Sequence, residues 1–104
     1  MYDFVETPLF TRLADRYLSD DGLHRLQHAL ANHPRAGPVI PGTGGVRKLR
    51  WRTAGRGKRG SLRIVYYVKT SEHAIWLLTL YPKNQRATIA PHVLRQIREE
   101  VDSA

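Results

Sequence analysis

Between positions 46 and 69 the sequence carries nine basic residues and no acidic one: Arg47, Lys48, Arg50, Arg52, Arg56, Lys58, Arg59, Arg63 and Lys69. Four basic residues face five acidic ones before this segment, and four face four after it, so the net charge of +8 is concentrated here. The cations are interleaved with Leu49, Trp51, Ile64, Val65, Tyr66 and Tyr67, a pattern of folded strands rather than of a disordered basic tail. Because side chains alternate along a strand, Lys48, Arg50 and Arg52 share one face of a strand over 46–52, and Leu49 and Trp51 the other. In a strand over 62–69, Arg63, Val65, Tyr67 and Lys69 oppose Leu62, Ile64, Tyr66 and Val68. If the two open faces point the same way, Lys48, Arg50, Arg63 and Tyr67 form a concave basic surface with an aromatic ring, and Lys83 and Asn84 follow just after a third strand. Such a surface suits RNA, with cations on phosphates and rings against unpaired bases. Arg47, Arg52, Arg56, Lys58, Arg59, Tyr67 and Arg86 are the expected RNA contacts around it.

The same grouping has the parts for cleavage. Metal-independent RNA hydrolysis needs a base for the 2′-hydroxyl proton, cations for the phosphorane and an acid for the leaving oxygen. Cations are plentiful and a conventional base is not. A lysine crowded by arginines gives up its proton more readily, since like charges disfavour the protonated form, which makes Lys48 a candidate base. A phosphate contact with no proton role is the alternative for Lys48.

The elements that must position these groups are visible in the apolar spacing. Residues 2–5 alternate as a short strand. Thr7-Pro8 is an N-cap with proline at the first helical position, followed by Leu9, Phe10, Leu13, Ala14 and Tyr17 at helical spacing. Ser19-Asp20-Asp21 caps a second helix with the stripe Leu23, Leu26 and Leu30, which ends at Asn32-His33-Pro34. The Pro- and Gly-rich run 34–45 is a shaped connector. Strands over 46–52, 62–69 and 74–81 follow, the first two joined by a glycine-rich hairpin at 55–60 and the last apolar on both faces, as a central strand would be. A helix from about Ala90 to Val101 closes the chain. The short connections predict an antiparallel meander, with the helices packed on one face: a single α+β domain over residues 1–104.

Composition narrows the function further. The sequence pI of about 10.5 lies in the range of nucleic-acid-binding domains. With no cysteine, disulfides and thiolate chemistry are excluded. The first ten residues lack the basic start and apolar run of a secretory signal, and no stretch is apolar enough for a membrane span, so a cytoplasmic protein with no membrane partner is expected. His24 and His28 have a metal-compatible spacing on the second helix, but no HExxH motif surrounds them, so exposed helix histidines and no metal site are expected. The GTGG at 42–45 lacks the lysine-serine and helix of a phosphate loop and is read as a tight turn.

Three ordered blocks, GTGGVRKLRW (42–51), GRGKRGSLRIVYY (55–67) and LLTLYPKNQ (77–85), resemble the RelE/HigB toxin family of bacterial toxin–antitoxin systems, and its HigB-like branch in particular. The resemblance covers most of the chain. It implies a small RelE-like α+β domain, with N-terminal helices packed on one face of an antiparallel sheet and a C-terminal helix. It implies a ribosome-dependent mRNA endoribonuclease without cofactor, held in check by a cognate antitoxin, HigA-like with a helix-turn-helix domain. The catalytic positions it implies are Lys48, Arg50 and Arg63, with Lys83-Asn84 after the third strand as in HigB-like members. The tyrosine that the RelE branch places at the start of the last helix has no counterpart; Ala90 stands there. That leaves the proton donor open among Lys83, Arg86 and His92. Two other functions fit the same residues: a ParE-like toxin that inhibits gyrase on the same fold, and a non-catalytic RNA-binding module.

Overall fold

The computed structural model describes residues 1–53, 60–87 and 89–104. In chain order the elements are β1 (Asp3–Glu6), α1 (Pro8–Tyr17), α2 (Asp20–Asn32), β2 (Arg47–Thr53), β3 (Gly60–Lys69), a 3₁₀ turn (Thr70–Glu72), β4 (Ala74–Pro82) and α3 (Pro91–Ser103). Both expected caps form. The Thr7 hydroxyl accepts from the Phe10 amide at 3.0 Å, and that of Ser19 from the Gly22 amide at 3.0 Å, satisfying donors that a helix start otherwise leaves orphaned. Asp20 and Asp21 in the first turn of α2 complement its dipole.

The strands form one sheet in the order β1-β4-β3-β2. β2, β3 and β4 are the expected antiparallel meander. β1 pairs parallel with β4, from Asp3↔Ala74 to Glu6↔Leu77, so the sheet is mixed. This pairing spans most of the chain, and alternation in residues 2–5 carries no information about it. The position of β4 between two neighbours accounts for its apolar character.

The helices divide between the two faces instead of sharing one. α1 and α2 cover Leu62, Ile64, Tyr66, Ile75, Leu77 and Leu80, forming a core with Phe10, Ala14, Leu26 and Leu30. On the opposite face Leu94 of α3 packs with Val46, Val65, Leu78 and Tyr81. The physical reason lies in β4, which is buried on both sides and needs cover on both. The β3–β4 register slips between Val65 and Tyr66: Val65 opposes Thr79 and Tyr66 opposes Leu77, leaving Leu78 as the extra residue of a bulge. Its carbonyl is not orphaned, because the Thr7 hydroxyl donates to it at 2.7 Å.

The connector between α2 and β2 lies against the β2 edge. The Lys48 amide donates to the Pro38 carbonyl at 3.0 Å and the Ile40 amide to the Val46 carbonyl at 2.8 Å. Gly37 is required there, since a β-carbon would stand 2.9 Å from the Lys48 carbonyl. Residues 40–46 form the expected tight turn: the buried Thr43 hydroxyl donates to the Ile40 carbonyl at 2.7 Å and accepts from the Val46 amide at 3.0 Å.

Candidate functional site

The register of β2, β3 and β4 decides which charged side chains meet. Arg50 is opposite Arg63, and Arg63 opposite Tyr81, making one row across three strands. Lys48, Val65 and Thr79 make the next row. Residues in a row stand roughly 5 Å apart at their β-carbons, with diagonal neighbours a little farther. The open faces inferred from alternation therefore do coincide, and Lys48, Arg50 and Arg63 gather on the face that also carries α3.

No carboxylate among the described residues forms an ion pair with any of the three; the ion pairs there are Arg25–Asp21, Lys69–Glu72 and Arg98–Asp102. Arg50 is exposed, while Lys48 and Arg63 are half-buried. One terminal nitrogen of Arg63, Nη1, is buried without a hydrogen-bond partner among the described residues. A buried guanidinium nitrogen that lacks a partner is costly, and an anion such as phosphate would supply one. Thr79, 1% exposed, has a buried hydroxyl in the same unpartnered condition.

Tyr81 is the site residue that strand patterning overlooks. It closes the Arg50–Arg63 row, yet it sits between Leu80 and Pro82 near the end of a largely apolar strand and reads as core. Burial raises its pKa above the ordinary 10.0, and the Arg63 charge pulls it back down. The bulge places Thr79 beside it.

The other candidates are distributed unequally. Lys83, Asn84 and Arg86 are exposed in the turn after β4, where the Lys83 amide donates to the Ser61 carbonyl at 2.9 Å. Ala87 lines a cavity with Lys48 and Tyr81, which brings this segment to the rim of the site. His92 is exposed in the first turn of α3, next to Pro91 on the same rim. Arg47 is engaged elsewhere: it donates to the Gly37 carbonyl at 2.8 Å and to that of Arg35 at 3.3 Å, holding the connector. Arg52 is exposed farther along β2, where it borders a separate cavity with Tyr17 and Trp51. Tyr67 lies two residues beyond Val65, away from Arg63. Its hydroxyl donates to Asp102 of α3 at 2.9 Å, and burial followed by that carboxylate raises its pKa. Arg56, Lys58 and Arg59 lie outside the described residues. His24 and His28 are exposed on α2 as expected.

The tyrosine beside Tyr67 is structural. Tyr66 is fully buried; its hydroxyl donates to the Pro34 carbonyl at 2.8 Å and accepts from the Gly37 amide at 2.9 Å. Lys69 is likewise structural. Its buried ammonium donates to the Val101 main-chain oxygen at 2.7 Å and to that of Ala104 at 3.3 Å, completing the C-terminal end of α3.

Among solved structures, the chain is similar to a chain of the intact E. coli RelBE toxin–antitoxin complex, with 19% identity, a TM-score of 0.60 and coverage of 83% of this chain and 100% of that one. It is also similar to the isolated E. coli RelE toxin, with 17% identity, a TM-score of 0.56 and coverage of 97% and 99%. At these identities the likeness establishes the fold. Residues 7–103 match the family described as the RelE toxin of the RelE/RelB toxin–antitoxin system, and with nearly the whole domain inside that match, the chain belongs to the RelE toxin family.

Proposed function

We propose that this RelE-family toxin is a ribosome-dependent mRNA endoribonuclease of the HigB-like branch, which arrests translation by cutting RNA through its own 2′-hydroxyl. The observation that carries this reading is the alignment of Lys48, Arg50 and Arg63 on one open face with no carboxylate among the described residues paired to them. In the proposed reaction the 2′-oxygen loses its proton to a base, Lys48 being the candidate, and attacks the adjacent phosphorus. Arg50 and Arg63 neutralise the charge on the phosphorane oxygens. The bond to the 5′-oxygen breaks as that oxygen takes a proton, leaving a 2′,3′-cyclic phosphate and a 5′-hydroxyl. Lys83, Arg86 and His92 are the candidate donors. The Tyr81 phenol is a further one: its raised pKa keeps it protonated at neutral pH, and Arg63 favours the phenolate left behind.

The partner is a cognate antitoxin, HigA-like with a helix-turn-helix domain, whose acidic or apolar segment covers the basic face or displaces α3. The charge of +8 favours fast, salt-sensitive association in the cytoplasm, where ribosomes and mRNA are met. No helix among the described residues is long and apolar enough to cross a membrane.

Expression of the wild type and Arg63→Ala in bacteria, with mRNA ends mapped, tests the reading. Growth arrest and new mRNA ends are expected for the wild type only. Equal arrest by both, with the variant present at the same level, would count against catalysis through Arg63. Intact mRNA with DNA damage would indicate a gyrase inhibitor, and RNA binding without toxicity or cleavage a binding module.

A further inference from the structure

Between α3 and the open face of the sheet lies a cavity of about 160 Å³. Its walls are mostly apolar, with Ile40, Val65, Ile89 and Leu94 among them, and Lys48 and Tyr81 border it. Thr79 also lines it, and the Thr79 hydroxyl is buried with no partner among the described residues. A buried hydroxyl left unpaired costs more than a hydrogen bond ordinarily contributes, so a polar edge entering this cavity would gain a hydrogen bond there.

We propose that this cavity receives one unpaired pyrimidine base, splayed from the RNA strand whose phosphates lie on Lys48, Arg50 and Arg63. The inference rests on the ribonuclease reading and adds a base-selecting subsite to it. Size argues for a single ring: a cavity of about 150 Å³ accommodates benzene, while pockets for larger ligands start at roughly 300 Å³. Polarity argues for a base rather than an apolar side chain. A pyrimidine has a flat body for Val65 and Leu94 and a polar edge for the Thr79 hydroxyl, whereas an apolar side chain would leave that hydroxyl unpaired. Position argues for RNA, because Lys48 belongs both to the cation group and to the cavity wall. Thr79 both donates and accepts, so it reads the presence of a polar edge and does not separate cytosine from uracil.

The test is a titration of the full chain, followed by NMR, with the four nucleoside 3′-monophosphates and with ribose 5-phosphate. Cytidine and uridine nucleotides are expected to bind at least about fivefold more tightly than the purine nucleotides or the ribose phosphate, with shifts at Thr79 and Leu94. Thr79→Val keeps the shape and removes the hydroxyl, and is expected to weaken pyrimidine binding by about three- to tenfold. Ile40→Phe narrows the slot from its rim and should abolish the pyrimidine preference while ribose phosphate still binds. Thermal unfolding of both variants separates lost binding from lost folding. Equal binding of all five probes would overturn the base slot and leave the phosphate-binding cations standing. Absence of binding by any probe would overturn it as well. Benzene binding that survives Thr79→Val, with no pyrimidine preference, would replace the base by an apolar side chain of a protein partner. Pyrimidine-selective binding without mRNA cleavage in cells would retain the slot and remove the ribonuclease reading.

Discussion

The two faces of the sheet are built from the same strands by the same alternation and differ in how they treat polar atoms. Under α1 and α2 the core is apolar, and its one buried phenol, Tyr66, makes two hydrogen bonds. On the α3 side, β2, β3 and β4 present Lys48, Arg50, Arg63 and Thr79, and the face is only partly covered. The three buried side-chain atoms without partners among the described residues, Arg63 Nη1, Trp76 Nε1 and Thr79 Oγ1, belong to residues of this second face. A stable domain satisfies its buried polar groups, and an unpaired one is a place where a ligand, an ion or a water molecule can be received. One face thus holds the larger core with its buried phenol satisfied, and the other combines a smaller core with polar groups left open to an external partner.

The sharpest way to break this comparison is to truncate each face in turn. Leu77→Ala, at the centre of the closed face, should destabilise the fold by about 2–5 kcal/mol in denaturant unfolding. Arg63→Ala should leave stability unchanged or slightly raised, because it removes an unpartnered buried group, even as it reduces cleavage by about a hundredfold or more. A marked loss of stability in Arg63→Ala would mean that the open face is structural too.

Two buried threonines sharpen the comparison. Thr43, fully buried, closes the turn into β2, and Thr43→Val should cost about 1–3 kcal/mol by leaving the Val46 amide without its acceptor. Thr79→Val should cost nothing measurable in the same assay.

The smallest effect concerns pH. Tyr66, Tyr67 and Tyr81 all have raised pKa values, so the native state holds their protons more tightly than the unfolded chain does. Their contribution is fully present below about pH 10, the unfolded value, and is lost as pH rises through the folded values. Unfolding followed from pH 8 to 12 should show declining stability above 10, and Tyr67→Phe should shallow that decline while costing about 1 kcal/mol near neutrality for the lost bond to Asp102. An unaltered slope would mean that Asp102 does not hold the Tyr67 proton.

Much of this was legible in local sequence because local physics decides it. Thr7-Pro8 and Ser19-Asp20-Asp21 cap helices through bonds to amides three residues away, so no distant partner is needed. Alternation correctly phased Lys48, Arg50 and Arg63, and Leu62, Ile64 and Tyr66, since a strand's two faces follow from its backbone alone. Tyr67 was correctly phased too, but alternation could not show that Asp102, 35 residues onward, would take its hydroxyl. Arg47 was drawn into the expected RNA surface by its charge, whereas the connector carbonyls beside β2 occupy it.

By itself, then, the sequence determined the elements, the concentration of charge in residues 46–69 and the family motifs, all properties of neighbouring residues. The tertiary structure alone decided the parallel pairing of β1, the docking of α3 on the face opposite α1 and α2, and the assembly of Arg50, Arg63 and Tyr81 into one row with Thr79 beside it. Those depend on register between strands and on the bulge at Leu78, and register is a relation between distant segments that no single segment encodes.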